Sequence, residues 1–392
     1  MNTTKKGLLL LMKSAITGES ETLPEGFSLA EALPLIRAHQ LLPLCYTGAF
    51  RCGIPSQEPV MQRMFQHFCG MMLRSERQMQ AVERVCTAFE SRQIDYMPLK
   101  GCLMKDRYPS RELRTMGDAD ILIRMEQYDR IRPLMRELGF EEIQTSDHEL
   151  IWRSKVLLLE LHKRLIPSYN RDYYAYFGEG WQLATTHQGY RYGMGQEDEY
   201  IYLFTHFAKH YRDGGIGCRH VLDLWVMTNW MKDPDWMYIR RELKKLSLER
   251  FHDNMLRVLE NWFGDGPEDD VTELISQFIF SSGNWGGLEN HVLAMELRNQ
   301  ERKRSGSTKC AAILRMIFPS ADGMKYSYPV LEKRPWLLPV MWVYRWVSTL
   351  LFHRDKLGKQ KKRLDLLNEG AISAYQRSLE LVGLTFRFSD SP

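Results

Sequence analysis

The sequence predicts an α+β protein in which a small mixed β-sheet with flanking helices is set into an otherwise largely α-helical chain. Three observations carry this. Apolar residues recur at helical spacing through residues 1–93, short alternating runs replace them over 94–168, and helical spacing returns from about 169. These breaks divide the 392 residues into an N-terminal helical region (1–93), a sheet-bearing core (94–168), a helical domain (169–280) and a C-terminal loop and helical region (281–392).

In the first region Leu29, Leu33, Ile36, Leu41 and Leu44 mark helices interrupted by Pro34 and Pro43. A long helix is expected from Pro59 to Arg92, with Met61, Met64, Phe65, Phe68, Met72, Met79, Val82, Cys86 and Phe89 along one stripe. A methionine-rich stripe at this spacing reads as core packing rather than as a cofactor box. The core then runs as strand Ile94–Leu99, turn Lys100-Gly101, short helix Cys102–Arg107 and an arginine-rich loop from Pro109 to Gly117. Strand Asp118–Arg124 follows, then helix Gln127–Leu138 closed by Gly139, and strands Phe140–Gln144, Glu149–Arg153 and Val156–His162. Beyond it, Glu199–Tyr211 and His220–Trp230 are expected helices, with more through Ile279. Residues 281–308 are polar and glycine-containing and read as a long loop with a partial helix.

Composition narrows the function classes. Hydrophobic residues make up 44% and charged residues 26%, which is the balance of a globular chain. The excess of 53 basic over 49 acidic residues gives only +4, too little for a nucleic-acid-binding surface across the whole chain. The seven cysteines are odd in number and none forms a Cys-x-x-Cys pair, which argues against a disulfide framework or structural zinc and for a reducing, cytoplasmic setting. The apolar run Leu8–Met12 ends at Lys13, too soon for a secretory signal core. Trp336–Phe352 is the nearest approach to a membrane span, but it contains Pro339 and Arg345 and reads better as a buried or interfacial helix. The basic cluster His353-Arg354, Lys356, Lys359, Lys361-Lys362-Arg363 follows it. A solvated helix face is favoured there, with peripheral membrane contact through 336–363 as the alternative.

The chemistry concentrates in the core. Side chains alternate along a strand, so Asp118, Asp120 and Leu122 share one face while Ala119, Ile121 and Ile123 face the interior. Two such carboxylates lie roughly 6.5–7 Å apart at Cα. They can reach one divalent ion, or two ions about 4 Å apart. In the last expected strand, Leu157, Leu159 and Leu161 form a buried face and Glu160 points the other way with His162. A glutamate among leucines is costly unless it is paired or binds metal. If the two strands are neighbours, Glu160 completes a three-acid centre. Lys100-Gly101, just before a short helix, offers a point charge and close backbone approach to a phosphate, with Cys102 next in line; Arg111 and Arg114 could neutralise a triphosphate. Each feature alone has a structural explanation: Asp-x-Asp is frequent in surface turns, and Arg114 could satisfy a buried Glu160. Their order in one α/β segment favours a centre for nucleotidyl transfer. His206 and His210 are four apart on one helix face, with Asp213 and Asp223 nearby. They read as a polar cleft lining, ahead of a packing pair or a zinc pair.

The segments Leu99-Lys100-Gly101, Tyr108-Pro109, Arg114-Thr115-Met116-Gly117-Asp118-Ala119-Asp120-Ile121-Leu122 and Leu159-Glu160-Leu161-His162 resemble the uncharacterised bacterial nucleotidyltransferase family of the DNA polymerase β-like superfamily. The resemblance extends to Ile36–Leu44, to His206-Phe207-Ala208-Lys209-His210 with Arg219, Leu222 and Asp223, and to Phe318-Pro319, Tyr328 and Pro335–Arg345. The superfamily's phosphate-binding turn is Gly-Ser or Gly-Gly, whereas Gly101 is followed here by Cys102. The resemblance implies transfer of a nucleoside monophosphate from an NTP to an acceptor hydroxyl of a small molecule, sugar or protein side chain, with release of pyrophosphate. Asp118, Asp120 and Glu160 would be the catalytic residues and the ligands of two Mg²⁺ (or Mn²⁺) ions. Lys100, Gly101, Cys102, Arg111, Arg114, His162, His206 and His210 would contact the nucleotide. The alternative is a catalytically silent relative, a nucleotide-binding or protein-interaction module of a biosynthetic or toxin-like system.

Overall fold

The computed structural model describes residues 1–284, 286–303, 314, 317–325, 327–352, 366 and 369–386. The chain forms two compact units, one from Met1–Lys209 and Ile216–Trp285 and the other from His210–Gly215 and Gly286–Pro392. The α+β expectation holds: the first unit carries a mixed sheet of seven strands, and helices account for most of the rest.

The first unit opens with α1 (Thr3–Thr17), α2 (Leu29–Ala38), α3 (Leu42–Arg51) and the long α4 (Pro59–Ser91). Asn2 caps α1 by accepting from the Lys5 amide at 3.0 Å. Helices α1 and α3 approach so closely that a Cβ on Gly48 would lie 2.0 Å from the Leu11 carbonyl oxygen. Of the α4 stripe, Met61, Met64, Val82 and Phe89 are buried, while Phe65 and Met72 are exposed.

The sheet has the order β3-β4-β5-β2-β1-β7-β6. Its strands are β1 (Tyr96–Leu99), β2 (Asp118–Ile123), β3 (Glu141–Thr145), β4 (Glu149–Arg153), β5 (Leu158–His162), β6 (Thr186–Gln188) and β7 (Arg191–Gly193). Strand β2 lies between β1, which runs antiparallel to it, and β5, which runs parallel. One face of the sheet is a hydrophobic core: Ala119, Ile121 and Ile123 of β2 and Leu159 and Leu161 of β5 pack with Val82, Val85 and Phe89 of α4. Ile131, Leu134 and Met135 of α6 (Tyr128–Glu137) complete it. The alternation expected for both strands is therefore present, and it turns Asp118, Asp120 and Glu160 to the other face.

Three local expectations are corrected. The helix expected from Cys102 is α5 (Lys100–Lys105), so Lys100 and Gly101 form its first turn instead of a separate turn. Strands β6 and β7 fall in a segment expected to be helical. At three residues each they are too short to show alternation, and they join the sheet where the Tyr96 amide donates to the Tyr190 carbonyl at 3.0 Å. The glycine-containing stretch after 281 carries a full helix, Leu288–Lys303, in the second unit. The helices α8 (Gln196–Arg212) and α9 (Cys218–Trp230) fall within a few residues of their expected bounds, and α7 (Arg171–Phe177) and the helices Trp236–Lys245, Glu249–Phe263 and Asp270–Ser282 complete the first unit. In the second unit the helix Leu338–Phe352 exposes Val340, Val343, Tyr344 and Val347. No helix among the described residues is long and apolar enough to cross a membrane. The basic cluster 353–363 lies outside the described residues.

The loop that enters β2 is held from every side. Arg114 is buried and donates twice to Asp223 of α9, Nε to Oδ1 and Nη2 to Oδ2, both at 2.8 Å. Its Nη1 donates to the Gly101 carbonyl at 3.2 Å, which ties the same guanidinium to the start of α5. Tyr108 donates its hydroxyl to Asp223 Oδ1 at 2.8 Å. The loop's carbonyls are also used: Lys105 Nζ donates to Arg111 and Arg114 at 2.7 and 2.6 Å, Arg219 to Thr115 at 3.0 Å and Gln78 to Met116 at 3.3 Å. Burial and the neighbouring Arg114 charge push the Lys105 ammonium down to about 8. Bidentate arginine–carboxylate geometry fixes angle as well as distance.

Removing one partner of a buried pair strands the other, at a cost of about 3–5 kcal/mol. Asp223→Ala is therefore expected to lower stability by that amount in urea unfolding. The paired replacement Arg114→Met/Asp223→Leu should recover much of the loss.

Candidate metal and phosphate site

The register of the three central strands assembles the site. Asp120 of β2 lies opposite Leu99, the last residue of β1, and opposite Glu160 of β5. Lys100 follows Leu99 directly, and His162 pairs with Leu122 two residues further along the same ladder. Lys100 Nζ lies 2.7 Å from Asp120 Oδ1. His162 Nε2 reaches the same oxygen at 2.8 Å and lies 3.6 Å from Glu160 Oε2. Ligand atoms of Asp120, Glu160 and His162 all fall within 4.8 Å of one another. Asp118 stands one pleat away on the same face. Lys100 holds φ at +34°, a left-handed conformation that is unfavourable for a residue with a side chain and recurs at functional sites.

The two aspartates are driven apart electrostatically. Burial alone would raise the Asp120 carboxyl, but the Lys100 ammonium and the hydrogen bond from His162 hold it well below the usual carboxylate range. Burial also opposes charge on Lys100, and Asp120 overrides it, keeping the ammonium protonated. Asp118 has no such partner among the described residues. Burial and the negative charges of Asp120 and Glu160 push it up to about 7, which Lys100 and Arg219 only partly offset. For His162, burial and Lys100 favour the neutral ring, but the hydrogen bonds to Asp120 and Glu160 raise it overall.

The other expected nucleotide contacts are placed as follows. A Cβ on Gly101 would meet Arg114 Nη1 and the Asp118 carbonyl oxygen at 3.5 Å, ordinary contact distances. Cys102, in the first turn of α5, packs its side chain into the hydrophobic core, where burial raises its thiol to about 12. Arg114 is committed to Asp223 and does not pair with Glu160. Arg111 is exposed and paired with Asp106 at 2.5 Å. His206 is half-buried on α8 with its ring tilted against Tyr202, centroids 6.3 Å apart. His210, on the same helix, is also half-buried, and neither histidine belongs to a converging group of metal-binding side chains among the described residues.

Sequence reading missed His148 and Glu149. Their importance comes from the β4–β5 ladder, in which Glu149 sits opposite His162. It also missed a cavity of about 380 Å³ bordered by Arg37, His67, Arg74, Glu112 and the segment Thr115–Gly117 that leads into Asp118.

Residues 26–264, which include every site residue named here, match the model of a family described as uncharacterised nucleotidyltransferase. No curated protein and no solved structure matches the chain.

A carboxyl whose folded-state value is raised stabilises the fold fully below its unfolded value near 3.8, and that contribution is lost as pH rises through about 7. In a chelator, Asp118→Asn should therefore equal the wild type in melting temperature near pH 4 and exceed it at pH 8. One kcal/mol of relief corresponds to about 2–4 °C. A lower melting temperature for the variant at pH 8 would contradict the repulsion described here.

Proposed function

Because the chain belongs to the uncharacterised nucleotidyltransferase family, we propose that it transfers a nucleoside monophosphate from an NTP to an acceptor hydroxyl, with Asp118, Asp120 and Glu160 as the acids of a divalent-metal centre. The observation that carries this is the convergence of Asp120, Glu160 and His162 within 4.8 Å beside Asp118, whose carboxyl is pushed up to about 7 by burial and by its acidic neighbours. Acids crowded in this way are compensated by a bound cation.

The donor set fits Mg²⁺ or Mn²⁺, since carboxylate oxygens suit hard cations. When bound, such ions neutralise the phosphates and lower the pKa of the acceptor hydroxyl. The chain's own residues do the positioning. Lys100, fixed by Asp120, presents an ammonium at the start of α5, where Gly101 leaves room for a phosphate to approach the backbone. His162 holds Asp120 in orientation. Glu160 accepts the proton of the acceptor hydroxyl as its oxygen bonds to the α-phosphorus; the bond from that phosphorus to the bridging oxygen breaks and pyrophosphate leaves. Catalysis of this kind is mainly positioning and charge neutralisation. The acceptor is a small molecule, a sugar or a protein side chain. The cavity beside Thr115–Gly117, with Arg37 and Arg74 against the single acid Glu112, suits an acceptor that carries negative charge.

One observation favours a second reading, a catalytically silent nucleotide-binding or interaction module. Lys100 and His162 already satisfy the same oxygen of Asp120 without an ion. Screening the four NTPs with Mg²⁺ or Mn²⁺ by thermal shift, followed by mass spectrometry for a nucleotidylated product, separates the two. Metal-dependent NTP binding with a product supports transfer, and metal-independent binding without one supports the silent module.

Loss of a side chain that only holds a metal ligand in place typically costs about 10–100-fold in metal affinity or activity. Asp120→Asn removes a ligand itself, so turnover should fall by more than about 100-fold, and undiminished turnover would sink the assignment. Gly101→Ala makes only ordinary contacts in the protein. It is expected to keep the wild-type melting temperature while weakening NTP binding about tenfold, roughly 1.4 kcal/mol, as read by thermal shift.

A further inference from the structure

The transfer reading uses one ring nitrogen of His162, and the other remains unexplained. Nε2 meets Asp120 Oδ1 at 2.8 Å, whereas Nδ1 is buried and has no hydrogen-bond partner among the described residues. A buried polar atom left unpaired is costly. With Nε2–H donating to the Asp120 carboxylate, Nδ1 is the nitrogen left to bond a metal ion in place of a proton.

What surrounds the ring explains this nitrogen. Glu149 sits directly across the β4–β5 ladder from His162. His148, the residue before it, places Nε2 2.9 Å from Glu149 Oε2, and its ring centroid is 5.8 Å from that of His162. One ligand atom from each of His148, Glu149 and His162 lies within 4.8 Å of the other two. The side chains are 15%, 15% and 3% exposed, so the cluster is shielded but reachable. Two imidazoles and a carboxylate form a common donor set of zinc sites that keep a fourth position for water, and ligands about 2.0–2.2 Å from such an ion lie roughly 3.4 Å from one another.

We propose that His148, Glu149 and His162 bind a zinc-type transition-metal ion through two imidazoles and a carboxylate, with His162 bridging that ion and Asp120. His162 then bonds metal through Nδ1 and donates Nε2–H to Asp120, the carboxylate–histidine–metal arrangement that fixes a ring's tautomer and orientation. The ion is a positioning element: it locks the histidine that orients Asp120 and takes no part in bond making. The site requires only these residues and stands whether or not the chain transfers nucleotides.

Cobalt(II), added to the metal-free full-length protein without nucleotide, reports the site by the visible absorption of a four- or five-coordinate ion. The expected result is one equivalent of such absorption, displaced by Zn²⁺. It should persist in Asp118→Asn/Glu160→Gln, which disables the three-acid centre, and its affinity should fall at least about tenfold in His148→Ala and in Glu149→Gln. Glu149→Gln is nearly isosteric and decides the matter if His148→Ala does not fold. No such absorption in the wild type, absorption lost in Asp118→Asn/Glu160→Gln, or affinity unchanged in Glu149→Gln would each overturn the proposal.

Discussion

Two carboxylates on one face of a strand whose other face is a hydrophobic core cannot turn away from each other. That constraint governs the centre of the molecule. Ala119, Ile121 and Ile123 anchor β2 in the core and force Asp118 and Asp120 to the opposite face, and parallel pairing with β5 adds Glu160 across from Asp120. The surrounding structure meets the resulting negative charge unevenly. Lys100 and His162 both bind Asp120, while Asp118 is left with carboxylates for neighbours and resists ionisation. Two chemically identical side chains, two residues apart, acquire opposite behaviour from their surroundings alone.

Keeping such a strand in place requires its entry loop to be rigid, and the polar groups outside the core supply that. Arg114 joins α9 through Asp223 and α5 through the Gly101 carbonyl. Lys105, Arg219 and Gln78 take the loop's carbonyl groups. The acidic face is thus supported from behind by apolar packing and from the side by hydrogen bonds, and neither support uses the side chains of Asp118, Asp120 or Glu160.

Much of this was legible in the sequence because it rests on short-range periodicity. Alternation in Asp118–Ile123 and Val156–His162 identified both strands, the core-facing residues and the acids on the free face. What stayed hidden depends on partners far apart in the chain. Arg114 read as a phosphate ligand because nothing local marks Asp223 as its partner. Cys102 read as part of a phosphate turn because the early start of α5, which turns its thiol into the core, leaves no sequence mark. His148 and Glu149 acquire meaning only from the β4–β5 register, and β6 and β7 are too short for a periodic signal. The uncapped start of α5 carries no Ser, Thr, Asp or Asn to announce it.

The parallel pairing of β2 with β5 also orders events during synthesis. Antiparallel neighbours such as β4 and β5 can close as soon as a hairpin emerges, but β2 must wait for β3 and β4 to be made before β5 can lie beside it, and contacts of long sequence separation form late. The clamp on Arg114 waits longer still, for Asp223 on α9. A nascent chain that has exposed Asp118 and Asp120 therefore carries two acids with neither their third member nor their bracing. The acidic centre is assembled and braced only after more than half of the polypeptide has left the ribosome.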